Sequence, residues 1–286
     1  MKIKIRSQFI APKGFTFIAL DLSQAETWVV AHLANEPRMK DALKHSDIHT
    51  ITAAAIFKPH NANCPHTWVK IDGGSRFCNV CSTTISDTER YLGKRSNHGN
   101  SYRMSAQQWT RVINSDSDKP PYVTVTEAEA KRYRQTWLNF YPGIVSWWRQ
   151  IEYDLNANSR KLTTPYGRER IFYENWGDSL FKEATAHVPQ STVADHAFGC
   201  VQRELGIEGG ILGISRLEDV RTYGRIVNTS HDSVMLEVPT NSVNDIAPQV
   251  YAQFRRPMVV NGETFTIPVD CEYGDRWGEM QSLKVA

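Results

Sequence analysis

The sequence predicts an α+β chain, with strands near both ends and a long helical excursion between them. Two observations carry that expectation. Strand-like runs stand near both ends, at Phe15–Asp21 and, far downstream, at Ile226–Thr229 and Val234–Val238. Between them the apolar residues recur mostly with helical spacing. Phe15, Phe17, Ala19 and Asp21 share one strand face by period two, and Asp21 ends the run. The two downstream strands are joined by a tight turn that carries His231 and Asp232.

The elements between follow in order. Glu26 to Leu33 reads as a helix start with Trp28, Val29 and His32 on neighbouring faces, and Asp41 to Phe57 is helical in composition. Lys58 to Ser86 breaks the pattern, being rich in Asn, Pro, Gly, Cys and Thr, and reads as an inserted module. Asp87 is the expected N-cap of a helix from Thr88, and Thr126, followed by Glu127 and Glu129, caps another that stops at Tyr141-Pro142-Gly143. Ile144 to Asn156 continues as a helix with Trp147 and Trp148. Leu162 to Phe172 is a hairpin turning at Tyr166-Gly167. Leu180 to Leu205 is a long helix with Pro189 as its expected kink.

Bulk properties narrow the function. At 286 residues the chain can form one large domain or two modest ones. A net charge of +2 means that any nucleic-acid surface must be a local patch. No apolar run is long enough to span a bilayer, and Met1-Lys-Ile-Lys-Ile-Arg6 lacks an apolar signal core, so a cytoplasmic location is expected. Of five cysteines, Cys64, Cys78 and Cys81 cluster, which favours a metal site in a reducing compartment over disulfides.

Three segments carry the chemistry: Ala19-Leu-Asp21-Leu-Ser23-Gln24-Ala-Glu26, then Arg90-Tyr-Leu-Gly-Lys94-Arg-Ser-Asn-His98-Gly-Asn-Ser-Tyr102, and last Asn228-Thr-Ser-His231-Asp232-Ser233. Two converging carboxylates, Asp21 and Asp232, can hold divalent cations. Arg90, Lys94, His98 and Tyr102 recur every four residues, so they drift slowly around one helix face and span roughly 18 Å, comparable to an extended nucleoside triphosphate. A solvated basic helix face is the plain alternative for that pattern.

In this order and spacing the segments resemble motifs A, B and C of the family A DNA polymerases, from about Arg6 to the end of the chain. The resemblance implies a right-hand palm plus helical fingers: palm at 1–33 and 161–286, fingers at 34–160, the nucleotide-binding helix at 88–104. It implies DNA-templated addition of deoxynucleotides to a primer 3′ end with two Mg²⁺. Asp21 and Asp232 would hold the metals, with the carbonyl of Leu22 completing one site. Arg90 and Lys94 would grip the phosphates, His98 would stack on the sugar and base in place of the family's Phe or Tyr, and Tyr102 would sit by the templating pair. Glu26 would close the space of a ribose 2′-OH. Thr164-Pro-Tyr-Gly167-Arg168-Glu-Arg170 is similar to the family hairpin whose arginines, here Arg168 and Arg170, contact the duplex backbone. Gln190 would probe the minor groove, and His231 would touch the primer end. Lys182 and Ala186 stand where the family has Arg and Asn. Ser233 stands where it often has a second acid.

Within the expected insertion at 58–86, Cys64-Pro-His66 and Cys78-Asn-Val-Cys81 offer four donors suited to a structural Zn²⁺, with His60 as the alternative to His66. The compact, zinc-inserted arrangement is similar to phage-like members, whose location would be the host-cell cytoplasm. No thumb or exonuclease segment is expected in this chain, so a partner chain is expected to supply the thumb. Two rival readings remain at this stage. One is a catalytically idle DNA-binding or assembly subunit that keeps the fold, and the other is a single-subunit RNA polymerase, disfavoured by Ser23-Gln24 and Glu26.

Overall fold

The computed structural model describes residues 5–61, 64–202 and 225–285. Along the chain it forms β1 (Phe15–Leu22), α1 (Ala25–Leu33), α2 (Pro37–His45), α3 (Ile48–Phe57), β2 (Trp68–Lys70), β3 (Arg76–Cys78), β4 (Thr84–Ile85) and α4 (Asp87–Ser101). There follow α5 (Ala106–Ser115), α6 (Glu127–Phe140), α7 (Pro142–Ala157), β5 (Lys161–Thr163), β6 (Glu169–Ile171) and α8 (Asp178–Gln202). The last described stretch holds β7 (Arg225–Ser230), β8 (Ser233–Pro239), α9 (Val243–Phe254), β9 (Pro257–Val260), β10 (Glu263–Thr266), β11 (Val269–Gly274) and β12 (Gln281–Ser282). Two compact units result: Met1–Glu26 with Gln190–Ala286, and Thr27–Pro189. No helix among the described residues is long and apolar enough to cross a membrane.

The first unit is built on a five-stranded antiparallel sheet in the order β12-β11-β1-β8-β7. Strand β1 is central, and its two faces diverge as the period-two pattern requires. Thr16, Ile18, Leu20 and Leu22 are buried, and Asp21 ends the other face exposed. Ile18, Leu20, Val234, Leu236, Cys271 and the apolar side of α9 make the core beneath. The β7–β8 hairpin forms as expected, with one irregularity at Ile226/Asn228, so Val227 is not paired in register. Residues 203–205 of the expected long helix lie outside the described residues.

The second unit is helical. Val30, Met39, Ile48, Trp137, Ile144 and Leu155 are among the residues that fill its main core, where α1, α2, α3, α6 and α7 meet. Two local expectations are corrected here. Asp41 to Phe57 is not one helix: the chain breaks at Ser46-Asp47, where Asp47 turns extended (φ −88°, ψ 101°) and caps α3 by accepting from the His49 N–H. The cap of α4 is Ser86 rather than Asp87. Ser86 Oγ accepts from the Glu89 N–H and Glu89 returns the bond to the Ser86 N–H, a reciprocal pair that a Ser-x-x-Glu spacing encodes. Thr126 and Glu129 form the same box on α6.

Within the second unit, the expected insertion holds a three-stranded sheet of its own, β2-β3-β4. Its neck is closed. Lys58 at the end of α3 pairs with Glu89 in the first turn of α4 (3.1 Å), and Ile85 is buried with Ala53 and Ala54 of α3.

Candidate active site

In the first unit, Asp21 is flanked on both sides. Its register partner on β8 is Ser233 and its partner on β11 is Asp270. The two-residue turn between β7 and β8 holds His231 in the left-handed region (φ 53°). The next residue, Asp232, brings its carbonyl oxygen to the N–H of Leu22 (3.0 Å). That bond ties the two segments side by side, and the carboxylates of Asp21 and Asp232 feel each other. Partial burial, then the charges of Asp232, Asp270 and Glu272, push the Asp21 carboxyl up to about 6, with Arg6 opposing. Burial likewise raises Asp232. Several carboxylates on one exposed strand-end face are a hard-oxygen donor set short of positive charge, which suits Mg²⁺.

In the second unit, α4 presents Arg90, Lys94 and His98 along one face, and Tyr102 is the residue that ends it. Lys94 and His98 are exposed and Arg90 is half-buried. The helix is pinned from below by a buried polar chain. Asn97 Oδ1 accepts from Trp137 Nε1 (2.8 Å) and from Thr52 Oγ1 (3.0 Å), and Asn97 Nδ2 meets His49 Nδ1 (3.2 Å). Thr52 in turn bonds the Tyr141 hydroxyl (2.8 Å). His49 lies 6.2 Å from the His98 ring. Burial depresses its imidazole to about 4; Asp47 pulls it up, and Arg90, His98 and Lys94 push it further down. His98 is also held low, first by partial burial and then by Lys94 and Arg95. The face is therefore cationic through Arg90 and Lys94, while both imidazoles are neutral near pH 7. A cavity of about 120 Å³ opens beside His98 and Tyr102, walled by Met104, Trp109 and Ile113.

The remaining expected residues stand as follows. Glu26 is in the first turn of α1 and partly buried. Trp28 is core, its carbonyl taken by His32 Nδ1 (2.8 Å). Arg168 is exposed at the β5–β6 turn, which Gly167 makes possible at φ 82°. Arg170 is on β6, paired with Glu183 and lying over Phe172. Gln190 is exposed on α8 in the first unit.

Cys64, His66, Cys78 and Cys81 bring one donor atom each within 4.8 Å of one another. His66 turns Nδ1 to Cys78 Sγ (3.3 Å) and Cys81 Sγ (3.5 Å), and its ring stacks on Trp68. His60 is not part of the group. The donor set of three thiols and one imidazole is one that suits a closed tetrahedral Zn²⁺ site.

The comparisons with known proteins concern the chain as a whole. The DNA polymerase family A model matches residues 1–67. DNA polymerase I of Pseudomonas aeruginosa is 26% identical over 285 residues, covering 96% of this chain and 26% of that protein. DNA polymerase I of Deinococcus radiodurans is 26% identical over 258 residues, covering 85% of this chain and 22% of that protein. This chain is related to the family A DNA polymerases. The fold carries the same likeness: the POL domain of Pol1 from M. smegmatis, solved in complex with DNA primer-template and dNTP, superposes with a TM-score of 0.69 at 19% identity, over 97% of this chain and 43% of that one. The chain spans about a quarter of the length of the polymerase I relatives it matches.

The geometry brings four residues beside the expected ones that the sequence reading did not single out. Asp270 and Glu272 join the face of Asp21 through β11, and their alternation with buried Val269 and Cys271 was the available signal. Asp47 and His49 join α4 from α3. No local pattern announces their link to α4, because Arg90 lies 43 positions after Asp47 and Asn97 lies 48 after His49.

Proposed function

We propose that the chain is a DNA-templated DNA polymerase core that adds deoxynucleotides to a primer 3′ end. The observation that carries the reading is the pairing of Asp21 and Asp232 on adjoining strand ends, tied by the Leu22–Asp232 backbone bond. Asp21 and Asp232 would hold two Mg²⁺, with the carbonyl of Leu22 as a further donor; when bound, such ions neutralise charge on the attacking oxygen and the leaving pyrophosphate. Residues 1–33 and 161–286 are read as palm and 34–160 as fingers. The chain's own residues do the rest of the work. Arg90 and Lys94 bind the triphosphate, His98 and Tyr102 place sugar and base beside the apolar cavity, and Glu26 disfavours ribose. Arg168, Arg170, Gln190 and His231 hold the duplex, and charge neutralisation supplies most of that grip. Zn²⁺ on Cys64, His66, Cys78 and Cys81 fixes the fold of the insertion. A partner chain adds further duplex contacts.

Primer extension tests the reading, with the chain alone and with the products of neighbouring genes. Asp232→Asn keeps the size and backbone bond but removes the charge, so product should fall at least about a thousandfold with the melting temperature not lowered. Extension that survives this change overturns the metal assignment. Ribonucleotides should be used poorly in the same assay.

A further inference from the structure

We propose that Asp47 is a positioning residue that orients Arg90 for the triphosphate. The inference rests on the reading of Arg90 as a phosphate ligand. Asp47 lies in the break between α2 and α3, and its carboxylate is held at three points. Oδ1 accepts from the His49 N–H (3.1 Å), and Oδ2 accepts from Thr50 Oγ1 (2.8 Å) and from Arg90 Nε. The acceptor is thus rigid before any ligand arrives. Burial raises its carboxyl, but the hydrogen bonds from Arg90 and Thr50 outweigh that and hold it below the ordinary range.

Arg90 stands in the first turn of α4, where a free side chain would sample many rotamers. Fixing Nε leaves the Nη pair, which is the fork that meets phosphate oxygens bidentately. The two side chains are 27% and 25% exposed, so bulk water screens the pair only in part while the fork stays accessible. Two effects oppose each other. The carboxylate offsets some of the guanidinium's attraction for phosphate, and it removes the ordering cost that phosphate binding would otherwise pay. The Coulomb offset is shared with solvent at this exposure, so ordering prevails and Asp47 strengthens binding.

Capping α3 is the plain alternative role, and Ser separates the two. Ser at 47 can cap a helix but cannot reach Arg90. The test is a double-mutant cycle on tripolyphosphate binding by the full chain, read by titration calorimetry, with melting followed in parallel. Asp47→Ser should weaken binding about tenfold. Arg90→Ala should weaken it at least as much, and the double variant should bind no worse than Arg90→Ala alone. Wild-type or tighter binding by Asp47→Ser overturns the proposal, as does an equal loss in the Arg90→Ala background. If Arg90→Ala binds like wild type, the phosphate reading of α4 fails first and Asp47 falls with it. Should Asp47→Ser not fold, Asp47→Asn replaces it, since Asn keeps the cap while losing the charge on Nε, and a loss below about twofold would then overturn the proposal.

Discussion

The backbone carbonyl oxygen of His49 occupies the space where a Cβ on Gly93 would point, 2.4 Å from that position. Helices α3 and α4 therefore touch backbone to backbone, and Gly93 is the residue that lets them. The Cβ of an alanine at 93 would also stand 3.0 Å from the Ala53 nitrogen, so neither neighbour is a flexible tip that can swing away. Gly93→Ala gains about 1 kcal/mol of helix propensity but forces the helices apart, at roughly 1–3 kcal/mol or more. The net result should be a lower melting temperature and weaker nucleotide binding together, because Arg90 and Lys94 ride on the displaced helix. A variant that melts at or above the wild-type temperature would contradict this packing.

Asn97 satisfies three buried partners at once, Trp137, Thr52 and His49. Asn97→Ala leaves their polar atoms without that partner, at a cost of about 2–4 kcal/mol. Urea unfolding should show the midpoint falling with the slope unchanged.

The elevated Asp21 carboxyl gives a pH signature. Its folded value, about 6, exceeds its ordinary value of 3.8, so the folded state holds the proton more tightly than the unfolded chain. The group costs nothing below pH ~4, and its penalty grows from there to about pH 6 and persists above. Asp21 is exposed, so screening reduces the effect to about 1 kcal/mol. Without divalent cations, Asp21→Asn should raise the melting temperature by about 2–4 °C at pH 7.5 and leave it unchanged at pH 4. Added Mg²⁺ should stabilise the wild type at pH 7.5 and not Asp21→Asn. Scanning calorimetry across that range checks both signs.

Metal analysis of the purified chain should find one zinc. Cys78→Ser should abolish it, whereas His60→Ala should leave it in place. Chelation should expose Trp68, stacked on His66, and so shift its fluorescence, because a three-stranded sheet this short with little core would need the proposed metal to hold it.

How much of this was legible follows from how local each signal is. The face of β1, the β7–β8 turn and the cap at Thr126 rest on neighbours within a few residues, and the sequence shows them. The cap of α4 was missed by one residue because Asp87 and Ser86 are both competent caps, and only the Glu89 reciprocity selects Ser86. The break at Asp47 is itself local: Ser46 turns extended after α2, and Asp47 caps α3 by accepting from the His49 N–H and Thr50 Oγ1, a signal that helical composition alone does not weigh. The acidic company of Asp21 depended on strand order, since β11 pairs with β1 from the opposite end of the chain. Hydrophobic periodicity records which face a residue takes, and it carries nothing about which strand lies alongside.

The closed neck of the insertion has a consequence for how such a chain diversifies. Lys58 and Glu89 meet at one point, so the polypeptide departs and returns through a single doorway, with Ile85 and Trp68 packed against Ala53 and Ala54 of α3 beside it. Whatever stands beyond that doorway can be shortened, exchanged or elaborated while the helix pair behind it keeps its spacing. The three-stranded segment is in that sense a cassette, free to drift toward new attachments while the helices of its host stay in place.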